Sequence, residues 1–381
     1  MKYFWLVCAG MADEPLDALD GRTPLEVAKT PFMDSLSKEA MLANASWLDA
    51  SLPASDEVAG LSMLGYEPKE SYTGLAPLEA VATGFSQSDA QIVFRCDFVT
   101  LSEGELSDHT AGKISSKEAQ VLVMELNRGL VDFKAKIVPM DGYKNLLIID
   151  NPEKVSELDE LETASPARVH GQQISKWPLK GKAAGLLQDI TAFTRTALEY
   201  HDVNRVRIDL GENPASQIWL WGQGRRPKLQ SFQQRNGVQG AFFTERLAWR
   251  GLGQASGMRA MKKWDEHEFL DFNLLESSSK FSETSKDFKA KIRRIEEFDA
   301  HVVGKLVAYL DKKGSPARIA ITSDVVHSTQ QGANTQGHAP LLVWGDGFAS
   351  GGAESFSEKS CGLSGRLLSP GHAFLAQFLK G

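Results

Sequence analysis

The apolar run Ala317-Arg-Ile-Ala-Ile-Thr-Ser323 is followed at once by Asp324-Val-Val-His327. This puts a carboxylate and an imidazole at the mouth of what reads as a buried strand. Ligands of these types surround divalent cations that neutralise phosphoryl oxygens and activate nucleophiles; two histidines of a surface loop, His327 and His338, are the plainer reading. Asp13, in Gly10-Met-Ala-Asp-Glu-Pro15, is a further carboxylate, and its place before a proline suits it equally to capping the next turn. Pro53-Ala-Ser55-Asp56-Glu57-Val58 offers a hydroxyl and a carboxylate, either of which can accept a phosphoryl group. The same mix of Ser, Asp and Glu is also what a helix N-terminus prefers. Arg95, Lys113, Arg225, Arg226 and Lys228 supply charge for an anion, or are ordinary surface cations.

Elements that could carry these groups alternate at the two ends of the chain, which argues for an α/β fold with a mostly parallel sheet between helices. Tyr3 to Cys8 reads as a buried first strand. Thr30-Pro31 reads as a cap and first-turn proline for a helix carrying Met33, Leu36 and Ala40. From Asp287 to Lys312 a long helix is expected, with Phe288, Ile292, Ile295, Phe298, Val302, Leu306 and Leu310 on its core face, ended by Gly314-Ser-Pro316. Strands follow at 318–322 and 340–344. The middle differs: 91–100, 134–140 and 144–150 are strand-like, 116–128 and 182–200 helix-like. We therefore expect a discontinuous core of residues 1–85 and 204–381 and an inserted α+β cap domain of residues 86–203, with 151–182 as surface loop.

At 381 residues, 42% hydrophobic and 24% charged, the chain can bury a large core and form two domains. A net charge of -7 argues against nucleic acid or an anionic membrane as partner and for a small polar one. Cys8, Cys96 and Cys361 form neither a CxxC pair nor a disulfide framework, which fits free thiols in a reducing cytoplasm. The apolar start is too short for a signal peptide, and no run reaches the roughly 18 apolar residues of a membrane span.

Several blocks, in order and over nearly the full length, resemble the cofactor-independent (2,3-bisphosphoglycerate-independent) phosphoglycerate mutases of archaeal type and their bacterial relatives proposed to be homoserine kinases. These are members of the alkaline-phosphatase superfamily. The blocks are Gly10 to Pro15, Gly21 to Glu26 with Thr30 to Asp34, Ser55 to Pro68, Tyr72 to Ala80, Phe94-Arg-Cys-Asp97 and Asn213 to Leu229. The last, rich in tryptophan, is nearest the bacterial branch, as is Lys291 to Gly304.

The resemblance implies an alkaline-phosphatase-like core, two divalent cations such as Mn or Zn, a transiently phosphorylated serine and a basic pocket. Against that pattern this chain departs repeatedly. Ala9 stands where the first strand should end in a ligating aspartate. The nucleophile block is one residue longer, so that either Ser55 or Asp56 falls at the serine position. Val325 and Asn334 stand where two histidines are expected, although His327, two residues on, could return to the same face of an extended segment. Lys280 and Thr284 fall at or near further ligand positions. In the substrate pocket Leu75 replaces an arginine, and His109 and Thr110 replace one or two more; Arg95, Asp97, Asp108, Lys113, Arg225 and Arg226 lie in the matching blocks. The expectation is a catalytically degenerate relative, without metal, that binds an anionic metabolite or a protein. The alternative is an active phosphoglycerate mutase or homoserine-kinase-like phosphotransferase working through one rebuilt metal near Asp56, Glu57, Asp324, His327 and His338, with Asp13 as a further candidate ligand.

Overall fold

The structure is a computed structural model that describes residues 1–264, 266–277, 285–348 and 352–381. It divides into two compact units, Met1–Tyr72 with Lys228–Gly381, and Thr73–Pro227. These bounds assign residues 73–85 and 204–227 to the inserted unit, outside the 86–203 expected from sequence. The reason is local: the helix Leu75–Ala82 packs Ala76 and Ala80 against Val93, Leu146 and Ile148 of the inserted unit's sheet, and the strand Gln217–Gly224 pairs within that sheet.

In the first unit, β1 (Lys2–Cys8), β2 (Met41–Ala45), β8 (Gly240–Phe243), β9 (Arg259–Ala260), β10 (Phe272–Ser277), β11 (Ala317–Thr322), β14 (Ala339–Gly345) and β15 (Leu367–Leu368) form one sheet in the order β15-β2-β14-β11-β1-β10-β8-β9. Every neighbouring pair is parallel except the two made by β14. Both faces are covered, so β1 reads as an unbroken apolar run. On one face Phe4 and Leu6 join Ile319, Ile321, Ile295 and Phe298. On the other Trp5 meets Trp47 and Phe378 edge to face. A small hairpin, β12 (Val326–Ser328) and β13 (Ala333–Thr335), follows β11.

The long helix is not continuous. An α-helix over Phe288–Phe298 runs into a π-helical turn at Asp299–Val303 and then a second α-helix, Gly304–Lys313. The extra residue per turn widens the core-facing side, so that Val303 is buried beside the half-buried Val302; in the first α-helix Lys291 is enclosed and Ile292 half-buried. Gly314, in the left-handed region at φ 59°, ends the helix as its position suggested.

In the second unit β3 (Gln91–Ser102) is the centre of an antiparallel sheet. It pairs with β4 (Glu105–Asp108), β6 (Lys144–Asp150) and β7 (Gln217–Gly224), and β5 (Ala135–Asp141) pairs with β6. The helices Ser116–Leu130 and Ala184–Glu199 cover one face, packing Leu122, Leu126, Leu187 and Ile190 on Ile92, Phe94 and Phe98. Residues 151–182 are more than surface loop: they form short helical turns at Val155–Asp159 and Pro166–Val169 whose Leu158 and Val169 are fully buried.

Candidate active site

Ligands of open α/β sheets gather beyond the carboxyl ends of the parallel strands, and the conspicuous charged groups of the first unit lie there. Glu276 is near the end of β10, Asp324 follows β11, and Arg246 follows β8 just before the helix Leu247–Ala255. Asp56 opens the helix Asp56–Met63. Arg246 ties the three carboxylates together. Its Nη1 donates to Asp56 Oδ2 at 2.5 Å and its Nη2 to Asp324 Oδ2 at 2.7 Å, while its Nε lies 3.2 Å from Glu276 Oε1. The guanidinium also lies over the Trp249 ring, 4.8 Å from its centroid.

The outward-facing oxygens are engaged as well. Asp324 Oδ1 accepts from the backbone N–H of Gly10 and of Val325, both at 2.8 Å, and Glu276 Oε2 accepts from the Thr244 hydroxyl at 2.5 Å. Burial raises the Asp56 carboxyl, but Arg246 and the bonds at the helix start outweigh it and hold it below the usual carboxylate range. Burial lowers the Arg246 guanidinium, and the surrounding carboxylates more than reverse this. Ala9, at the end of β1, adds no ligand.

A second cation sits close by in the fold. Lys291 Nζ donates to Asp13 Oδ2 at 2.7 Å, to His327 O at 2.8 Å and to Ala12 O at 3.0 Å, which uses its three protons. Asp13 Oδ1 accepts from the N–H of Glu14 and of Thr329, and Oδ2 from the Thr329 hydroxyl. Asp13 is therefore an internal counter-ion and not simply a turn cap. Burial lowers the Lys291 ammonium and Asp13 opposes this. Beside them Glu358 accepts from Asp13 N–H and the Thr23 hydroxyl. Its burial pushes its carboxyl up to about 7 against those bonds.

His327 is buried, with both ring nitrogens committed: Nδ1 lies 3.0 Å from Asn334 Oδ1 and Nε2 3.0 Å from Ser285 O. His327 thus turns inward, which corrects the surface-loop reading, but its ring nitrogens face Asn334 and Ser285, and its expected role as a ligand beside Asp324 is corrected on that ground. His338 is exposed, 2.9 Å from Ser46 Oγ. Lys280 and Thr284 lie outside the described residues. Among the described residues, no three His, Cys, Asp or Glu side chains form a group able to hold a metal ion.

Ser55 precedes the helix Asp56–Met63, yet its hydroxyl makes no capping bond. It lies beside Glu57 and Tyr72 without a hydrogen bond of regular geometry. Tyr72 donates to Glu57 Oε1 at 2.9 Å. Burial and the Asp56 charge drive the Glu57 carboxyl well above its ordinary value, and burial with Glu57 does the same to the Tyr72 phenol. Ser55 thus has no basic partner of its own among these contacts.

The expected anion pocket in the second unit is corrected too. Arg95 is buried and committed: Nη1 forks onto both oxygens of Glu79 at 2.8 and 2.9 Å, and Nη2 and Nε reach Asp97 Oδ1 at 2.7 and 3.2 Å. The other Asp97 oxygen accepts from Trp221 Nε1, and the Trp221 ring lies beneath the guanidinium. Asp108 organises its own loop, accepting from Thr110, Gly112 and Asn213, and those bonds overcome partial burial to bring it down to about 2. Arg225 is exposed and pairs with Asp159 at 2.7 Å; Lys113 and Arg226 are exposed.

The residues that sequence reasoning missed are Arg246 and Glu276, and Lys291 in its role opposite Asp13. The available signal was one of charge: carboxylates gathered in a buried place need cations from elsewhere in the chain.

A mostly parallel α/β core with charged groups at its strand ends, and an antiparallel insert, define the class. The family model for 2,3-bisphosphoglycerate-independent phosphoglycerate mutase matches residues 39–204. Over 401 residues, covering 100% of each chain, the protein is 31% identical to the enzyme of that name from Methanothrix thermoacetophila. Two solved structures share its fold at 21% identity. One is a Pyrococcus horikoshii protein, with a TM-score of 0.78 over 100% of this chain and 96% of that one. The other is the cofactor-independent phosphoglycerate mutase of Thermoplasma acidophilum, with a TM-score of 0.61 over 100% of both. The chain belongs to the 2,3-bisphosphoglycerate-independent phosphoglycerate mutase family. No helix among the described residues is long and apolar enough to cross a membrane.

Proposed function

We propose that this family member is catalytically degenerate: a cytoplasmic protein that binds a small anionic metabolite or a protein partner and does not run two-metal phosphoryl transfer. The observation that carries the reading is Arg246, whose guanidinium takes an oxygen each from Asp56, Glu276 and Asp324. Divalent ions in such a site would neutralise phosphoryl oxygens and activate the nucleophile. Here the converging carboxylate oxygens already hold a guanidinium, and a dication placed among them meets positive charge. Lys291 does the same for Asp13. Neither side chain can act as a Lewis acid that deprotonates a serine. Both instead make the site a rigid, internally compensated part of the fold.

The test is metal content and activity of the purified chain. Elemental analysis is expected to find no stoichiometric Mn or Zn, neither ion should raise the melting temperature, and incubation with phosphoglycerate should leave Ser55 and Asp56 unphosphorylated by mass spectrometry. Stoichiometric metal with mutase activity that disappears in Ser55→Ala would overturn the reading in favour of an active enzyme.

A further inference from the structure

The second unit contains a cavity of about 540 Å³ that belongs to none of the groups above. It lies between β7, the helix Ala184–Glu199 and residues 162–180, and its volume is within the range of small-molecule sites. Trp177, Trp219 and Leu179 supply an apolar wall. Both indoles are fixed by their N–H groups, Trp219 on Ala164 O at 2.7 Å and Trp177 on Gln172 Oε1 at 3.1 Å. Their ring faces are thereby held in place before any ligand arrives, which lowers the ordering cost of binding.

The polar side of the cavity is equally defined. Arg195 directs Nε and Nη2 onto Gln217 Oε1, which fixes the amide so that its Nε2 is a donor. Among the described residues, neither that Nε2 nor Arg195 Nη1 has a protein partner. Gln217 is itself 4% exposed and lines the cavity. The lining carries Arg168, Lys176, Lys180 and Arg195 against Glu162 alone, a positive patch on a chain of net charge -7. Opposite sign to the whole molecule marks a place where anions concentrate.

We infer that this cavity binds an organic anion with a planar apolar body, the body packing against the wall that Trp177 and Trp219 supply and the anionic head meeting Arg195 and Gln217. The recognition is independent of the strand-end carboxylates and of whether the protein has mutase activity. A carboxylate, sulfonate or phosphate head satisfies the same donors.

The full-length protein titrated with 8-anilinonaphthalene-1-sulfonate tests this by fluorescence. One saturable site is expected, with the neutral N-phenyl-1-naphthylamine binding at least about tenfold more weakly, and Arg195→Gln and Trp177→Ala each weakening the sulfonate by roughly tenfold. Arg195 is exposed, so Arg195→Gln should keep the parent's circular dichroism and a cooperative melt, which separates lost binding from lost folding. Displacement by 1-naphthyl phosphate or by 2-naphthoate supports the site and tells which head it prefers. Equal binding of the neutral probe, or sulfonate binding unchanged in both variants, overturns the proposal.

Discussion

Arg246 Nη2 and Asp324 Oδ2 are 2.7 Å apart although 78 residues separate them in sequence. The same guanidinium reaches Asp56, 190 residues away. Replacing it by an isosteric apolar side chain, Arg246→Met, leaves three buried or nearly buried carboxylates without their counter-ion. Breaking such a group by removing one partner costs about 3–5 kcal/mol, and chemical denaturation should show a loss of that size. The variant should also respond to manganese by melting at higher temperature, where the parent does not. A parent and variant that respond alike would mean that Arg246 does not stand in the way of a cation.

Lys291 with Asp13 is the more enclosed of the two ion pairs, at 3% and 5% exposure. Lys291→Met is expected to cost about 3–5 kcal/mol, and adding Asp13→Asn should restore part of it, because the second change removes the stranded charge. Urea midpoints of the two single variants and the double variant form the cycle. Strict additivity would contradict direct coupling.

Glu358 should make stability depend on pH. Its carboxyl is raised from 4.5 to about 7 in the folded protein, so between those values the unfolded chain releases a proton that the folded chain keeps. Its contribution is therefore fully present below about pH 4.5 and is lost as pH rises through 7, by about 1–3 kcal/mol. Melting temperatures from pH 5 to 8 should fall for the parent and fall less for Glu358→Gln. Parallel profiles would remove Glu358 as the cause.

Arg95 is predicted to act on folding. Arg95→Met strands Glu79 and Asp97, both buried, and should destabilise the second unit by about 3–5 kcal/mol. Arg95→Lys, which cannot fork onto Glu79 while reaching Asp97, should recover only part. Limited proteolysis within residues 73–227 reads the difference, and unchanged protection in Arg95→Met would return Arg95 to the role of a spare anion receptor.

The fold was largely legible because burial on both faces writes itself into local sequence. The runs in β1, β11 and β14 and the turn at Gly314 could be placed from composition alone. The π-helical turn at Asp299–Val303 could not, since one extra residue in a turn leaves no mark on a three-and-four periodicity until the buried side is known. Asp324 and Asp13 were legible as candidate ligands only through the family resemblance. Their partners were not: Arg246 and Lys291 arrive from distant segments, and an ion pair across 78 or 278 residues has no local pattern. Arg95 was misjudged for the related reason that a sequence shows a charge without showing what already neutralises it.

A bound metal can be chelated, exchanged or in short supply, and a folding chain must wait to meet one. The Arg246 guanidinium is delivered by the polypeptide itself, at a fixed ratio of one per molecule and at an effective concentration set by the fold instead of by the surrounding solution. Whatever neutralises Asp56, Glu276 and Asp324 in this way changes only by mutation, so the charge state of these strand ends is settled when the chain is synthesised.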